Sequence, residues 1–260
     1  MLTIDRVIRR GAGERHAIEM PFTGLNRLGF GLASGQLGMV VAAPGLGKSS
    51  FAMHLALASG LPTLYVSPDT DAWTMTVRVL ANLSGHPQTY VTQCLGQAEY
   101  VEQAGLDVAM HLSEHVQFSF DTYSTRDIKD DVLAYGVVHG SYPELIVVDN
   151  LRNVAQGDNE RDGQTRAIEE LHALSQMTGA HVLVLHHATG QYDDGDRTIP
   201  LSGVEQKLSK LPAQILSLHA KDADVFACVI KNRQGRADPS GRMQVRLRFD
   251  KERMRFSDYE

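Results

Sequence analysis

The stretch "VVAAPGLGKSSFAMHLALA", residues 40–58, decides the fold. An apolar run enters a glycine-containing loop and leaves it as a helical segment, the context in which backbone N–H groups gather around phosphate oxygens. Gly45 and Gly47 let the backbone close on an anion, with Ala43, Pro44, Leu46 and Ser50 completing the loop. Lys48 supplies a cation to the β- and γ-phosphates and Ser49 a hydroxyl to Mg²⁺. The helix that opens near Lys48 turns its positive dipole end toward the same place. The pattern G-x-x-x-x-G-K-[ST] is met except at its first glycine, where Ala42 stands. That position ends the strand, away from the densest phosphate contacts, so a small residue is expected to serve. The alternative is a glycine-rich turn without a ligand; strand, loop and helix in this order favour a site for ATP and Mg²⁺.

The rest of the composition narrows the setting. With 260 residues, 43% of them hydrophobic, the chain can bury one large core. Two cysteines, Cys94 and Cys228, cannot make a disulfide framework, and their apolar surroundings predict buried thiols in a reducing cytoplasm. No run approaches the roughly 18 to 20 apolar residues of a membrane span, and the N-terminus lacks a signal-peptide core, so a soluble protein with no membrane partner is expected. The net charge of −6 and pI near 6.0 exclude a broadly basic nucleic-acid surface. Any such contact must be local.

Strand-length apolar runs recur at 37–43, 63–67, 116–120, 144–149, 181–187, 213–220, 225–232 and 244–249. Helical periods separate the first five, at 48–59, 71–83, 97–112, 125–139 and 164–179. Apolar strands alternating with helices predict an α/β fold with a mainly parallel sheet flanked by helices, and the late strands predict an antiparallel C-terminal extension. Residues 1–20 read as an arm without a core of its own, and 21–260 as the folded domain. The polar stretches 152–165 and 188–203 read as long loops, which in compact domains are usually functional.

"LIVVDN" carries a second acidic element: Asp149 stands at the C-terminal end of a buried strand, the edge at which open α/β sheets bind ligands. It reads either as a helix cap or turn aspartate or as the residue that holds Mg²⁺ through water, and four apolar residues running into one Asp favour the metal role.

With "TLYVSPDTDAWTMTVRVLANLSG" added, the sequence resembles the RecA-like core of DnaB-type replicative helicases. "SPDT" stands for that family's strand end with its acidic residue, and "VRVLA" for its Arg-x-Leu-Ala helix ending. From about residue 21 onward the order of landmarks agrees: "FTGLNRLGFGLASGQLGMVVAAPGLGKSSFAMHLA", "LIVVDNL", "LSGVEQ" and "VIKNRQG". The resemblance implies a RecA-like P-loop NTPase in which Lys48 and Ser49 bind phosphate and metal, Asp149 positions the metal and Asp69 orients the attacking water. It further implies that His187, where many members have Gln, senses the γ-phosphate. Lys231 and Arg233 would reach a neighbour's phosphate; their i, i+2 spacing puts them on one face of a strand, although by themselves they read as surface cations of an edge strand. Implied partners are single-stranded DNA, further copies of the chain in a ring, expected to be a hexamer, and replication or recombination proteins.

Three departures accompany the resemblance. Asp69 is one methylene shorter than the usual Glu. The family's separate helical domain is replaced by residues 1–20, expected as a linker helix docking on a neighbour. The stretches expected to meet DNA, 152–166 and 188–203, are mixed or acidic, leaving Arg152, Arg161, Arg166, Arg197 and Lys207 as candidate phosphate contacts. A helicase or translocase motor is therefore weighed against a recombinase-like or regulatory ATPase, and against a loading factor whose ATP site is structural.

Overall fold

The computed structural model describes residues 17–259 except 158, 189, 205, 206 and 223. Residues 1–16, the greater part of the stretch 1–20 expected as a linker helix, and the Glu-Gln of "LSGVEQ" lie outside the described residues, while residues 17–19 of that stretch form a strand and not a helix. Nine strands form one sheet in the order β11-β10-β9-β8-β3-β7-β6-β4-β5. The central strand is β3 (Leu37–Ala42), followed by α2 (Lys48–Ser59) and β4 (Thr63–Val66). Next come α3 (Ala72–Ser84), β5 (Val116–Ser119), α7 (Thr125–His139) and β6 (Leu145–Val148). The chain continues through α8 (Leu151–Val154), α9 (Glu160–Thr178), β7 (His181–His187), β8 (Gln214–Lys221), β9 (Asp224–Asn232), β10 (Gln244–Asp250) and β11 (Arg255–Asp258). Near the start, β1 (Ala17–Glu19) and β2 (Gly31–Ala33) form a separate two-stranded sheet on either side of α1 (Thr23–Arg27).

The sheet is covered on both faces, which is why its strands read as continuous apolar runs. Along β3, Val40 and Ala42 join a core with Phe51 and Leu55 of α2, while Leu37, Met39 and Val41 join another with Ile128 of α7 and Ile168 of α9. The first turn of α1 is tied to the far end of the chain, because the N–H groups of Thr23 and Gly24 donate to the Asp258 carboxylate at 2.7 and 3.3 Å.

Three expectations need correction. The run at 213–220 does not begin the antiparallel extension: β8 lies parallel to β3, and within the nine-stranded sheet the antiparallel extension consists of β9, β10 and β11. The helical period at 97–112 belongs to a series of short helices, α4 (Gln88–Cys94), α5 (Ala98–Gln103) and α6 (Leu106–Leu112). Gly105 separates the last two in a left-handed conformation at φ 66° that glycine adopts without strain. The polar stretch 152–165 is not a loop throughout, since α8 occupies its start and α9 begins at Glu160, where Asn159 caps it by accepting from the Asp162 N–H. The stretch 188–203 is irregular, with 3₁₀ turns at Gly190–Tyr192 and Leu201–Gly203.

Candidate functional site

The phosphate loop leaves β3 at Ala42, whose side chain is buried in the core and whose backbone pairs with His187 on one side and Leu218 on the other. A Cβ fits there because the residue is still strand. The conformational demand falls on Gly45 and Gly47, at φ 77° and 82°. At Gly47 a Cβ would also stand 2.5 Å from the Phe249 ring, so that position is closed to any side chain.

Around the loop lies a cleft of about 300 Å³ lined by Gly45, Gly47, Lys48, Ser49, Arg78, His187, Phe249, Lys251 and Met254, together with Ala43 and Ser50. Lys48 is only 5% exposed. Burial pushes its ammonium below the ordinary lysine range, and the negative charges of Asp149 and Asp69 oppose that shift. Asp149, 6% exposed at the end of β6, is pushed up by burial and held down by hydrogen bonding to Ser49, the charge of Lys48 and hydrogen bonding to Tyr65. The Tyr65 hydroxyl, 3.1 Å from Asp149 Oδ2 and 3.2 Å from the Ser49 carbonyl, has one hydrogen to give to either. A hydroxyl and a buried carboxylate side by side are the hard oxygen donors that Mg²⁺ takes, and a divalent charge would relieve the carboxylate's desolvation. The residues present therefore fit a metal-bound nucleotide phosphate.

The remaining residues of the cleft meet through an asparagine that the sequence motifs do not mark. Asn150 Nδ2 lies 3.2 Å from Asp69 Oδ2 and 3.3 Å from His187 Nε2, and its Oδ1 accepts the Arg152 N–H at 3.0 Å. Lys48 Nζ stands 3.2 Å from His187 Nδ1. Lys48, Ser49, Asp69, Asp149 and His187 are thus one cluster at the C-terminal edge of the parallel strands. Phe249, Lys251 and Met254 come from β10 and the turn after it, some 200 residues along the chain from the loop, and no local pattern marks them.

Lys231 and Arg233 are not in this cluster. Lys231 pairs with Ile215 and Asn232 with Gln214, at the N-terminal end of the parallel strands. Lys231 Nζ donates to the carbonyls of Ser209 and Lys210 at 2.6 and 2.9 Å, and Arg233 Nη2 to that of Lys210 at 2.6 Å. Strand β3, about 17 Å long at its usual rise per residue, separates their edge from the start of the phosphate loop.

The five cations expected at DNA are dispersed. Arg152 on α8 and Arg161 on α9 line a second cleft of about 270 Å³ with Glu160, Gln164, His186 and His187. Arg152 Nε is 3.1 Å from Glu160, Lys207 Nζ 3.6 Å from Asp162, and Arg197 Nε 3.2 Å from Asp196, so acids of the same chain already engage these three. Arg166 is exposed farther along α9.

Residues 14–191, more than half of the chain, match the family described as AAA domain, AAA_25. The chain belongs to this AAA-domain family. Its overall sequence is 36% identical over 264 residues to the Gene 65 protein of Mycobacterium phage L5, covering 97% of this chain and 96% of that one. Among solved structures, one described as an ATPase domain superposes with a TM-score of 0.81 at 17% identity, covering 99% of this chain and 96% of the other. A DnaB-like replicative helicase, solved in connection with its interactions with primase, superposes at 0.77 and 15% identity, covering all of this chain and 68% of the helicase. The AAA-family chain therefore has the RecA-like ATPase core fold seen in DnaB-type helicases. No helix among the described residues is long and apolar enough to cross a membrane.

Proposed function

We propose that the chain is an ATP-hydrolysing motor that assembles as a ring, a hexamer, on single-stranded DNA, with ATP bound between subunits. In this reading Lys48 and the loop from Ala43 to Ser50 hold the phosphates, and Ser49 and Asp149 hold Mg²⁺. Asp69 takes the proton of the attacking water, and His187 reports the γ-phosphate. Catalysis then consists of positioning and charge neutralisation, as phosphoryl transfer requires. The observation that carries the proposal is the division of the charged residues between two edges of one sheet. Lys231 and Arg233 stand at the edge opposite their own phosphate loop, so the γ-phosphate they can serve is a neighbour's. Arg152, Arg161, Arg166, Arg197 and Lys207 are proposed as DNA contacts; Arg152, Arg197 and Lys207 would exchange an acidic partner of their own chain for a DNA phosphate.

The test is the native mass of the protein with a non-hydrolysable ATP analogue and single-stranded DNA, combined with strand displacement on a forked duplex. The proposal expects the mass of six chains and displacement that depends on ATP hydrolysis. ATP turnover by a protein that stays monomeric, or a ring that hydrolyses ATP and leaves the fork intact, would favour the regulatory reading.

A further inference from the structure

We infer that Asn150 is a positioning residue that fixes His187 as the tautomer carrying its hydrogen on Nδ1, so that the imidazole presents a donor beside Lys48 to an incoming phosphate oxygen. The inference rests on reading the cleft around Lys48 as the nucleotide phosphate site.

The argument begins with hydrogen-bond capacity. An asparagine side chain has two N–H donors and one carbonyl acceptor. Asn150 is buried, and its carbonyl oxygen is engaged by the Arg152 N–H at 3.0 Å at the start of α8. That bond fixes which way the amide faces. Turned over, it would set its NH₂ group against a backbone N–H and its carbonyl against the Asp69 carboxylate. The nitrogen therefore faces Asp69 Oδ2 at 3.2 Å and His187 Nε2 at 3.3 Å, with one hydrogen for each.

Where His187 Nε2 accepts from Asn150, the neutral imidazole carries its hydrogen on Nδ1. Burial, and next the positive charge of Lys48, keep the ring neutral by pushing it below the ordinary histidine range. Lys48 Nζ lies 3.2 Å from Nδ1 and 3.5 Å from Nε2. An ammonium only donates. In the empty cleft Asn150 and Lys48 are both donors to this ring, so one of the two contacts is frustrated, and the charged donor takes Nδ1; once an anionic oxygen draws the ammonium away, Nε2 is left to Asn150 and the hydrogen stands on Nδ1. An anionic oxygen accepting from both the ammonium and Nδ1–H resolves the conflict, and the phosphate loop is where such an oxygen arrives. Through its other hydrogen the same amide holds the Asp69 carboxylate. One residue thus orients both the base and the sensor, and through Arg152 it connects them to α8.

The experiment uses full-length protein labelled with ¹⁵N in its histidine rings, the His187 signals being assigned by comparison with His187→Gln. Long-range ¹H–¹⁵N correlation at neutral pH distinguishes the two tautomers and the imidazolium. Wild-type protein should show the Nδ1–H tautomer with an ATP analogue and Mg²⁺ bound. Asn150→Asp, nearly isosteric but offering an acceptor to Nε2, should reverse the tautomer, and Asn150→Ala should leave a mixture. ATPase kcat should fall by about 10- to 100-fold in both variants, the usual range for an outer-shell partner, while affinity for the ATP analogue changes less than about threefold, because the loss is in transition-state positioning. An Nε2–H tautomer or an imidazolium in the analogue-bound wild type, or analogue-bound spectra unchanged by both substitutions, would overturn the inference. Failure of the wild type to bind ATP would instead remove the phosphate-site reading, and the inference with it.

Discussion

The burial of Lys231 opposes electrostatically the role proposed for it at a neighbour's phosphate. Burial, reinforced by the guanidinium of Arg233, pushes its ammonium from the ordinary lysine value down to about 8. The positive form is therefore present below that pH and lost above it. If the residue must present a charge to a neighbour's phosphate, assembly on nucleotide takes up a proton as pH rises past this value. Sedimentation with an ATP analogue and single-stranded DNA should show assembly weakening between about pH 7 and about pH 9, and Lys231→Arg, whose guanidinium stays charged, should lose that dependence. Identical profiles for the two proteins would remove Lys231 from the interface. At this scale the sequence was legible wherever chemistry and spacing coincide: Lys48, Ser49 and Asp149 each close or open an element, and Ala42 is tolerated because strand geometry makes no demand for glycine. The place of Asn150 in the site was not legible. An asparagine before a short helix reads as a cap, which its bond to the Arg152 N–H bears out, but its other partners, Asp69 and His187, come from distant parts of the chain.

At the scale of elements, β7 shows how a strand can bring a pH dependence with it. His181 is fully buried at its start, where its Nδ1 lies 3.2 Å from the Ala33 nitrogen and 3.0 Å from the Ala33 oxygen, joining β2 to the main sheet. Its Nε2 is buried without a partner. Burial pushes the imidazole down to about 4. A value depressed on folding means that the unfolded chain binds the proton more readily, so stability is retained above the unfolded value and lost as pH falls through the folded one. By the usual conversion this one histidine accounts for about 3 kcal/mol between about pH 6.5 and about pH 4. His186, likewise pushed to about 4 by burial and then by His187 and Lys48, acts in the same window. Urea unfolding should therefore show stability falling over that range, and His181→Gln should lose a substantial part of the slope. An unchanged slope would mean that the site admits the charged ring. Strands and crossover helices were readable from apolar runs because both faces of the sheet are covered. The start of α9 was hidden because "NERDGQTR" is polar throughout, although Asn159 with Asp162 three residues on is a capping signal. The break between α5 and α6 was hidden because a glycine, here Gly105, inside an otherwise periodic run does not by itself say that the helix stops.

On the scale of the whole molecule, the account depends on a catalytic centre divided between two chains. In the proposed reading each sheet carries a phosphate loop, the metal-holding carboxylate of Asp149 and the base Asp69 at one edge, and the cations Lys231 and Arg233 at the other. The order of the elements along the sequence predicts the strands on which these groups lie; that the two sets face away from each other follows only from the antiparallel return of β9 beside β8. The most direct measurement is subunit mixing. Arg233→Ala should bind an ATP analogue like the wild type yet hydrolyse ATP at a rate lower by about three orders of magnitude, since a charge supplied in trans acts on the transferring phosphoryl group. Lys48→Ala should be inactive because it lacks the loop cation. In rings assembled from both variants, some interfaces pair an intact loop from the Arg233→Ala subunit with an intact Arg233 from the Lys48→Ala subunit, and the account predicts that ATPase activity returns when tagged co-purification shows the two subunits together. Co-assembly without recovered activity, or wild-type turnover by Arg233→Ala alone, would contradict it.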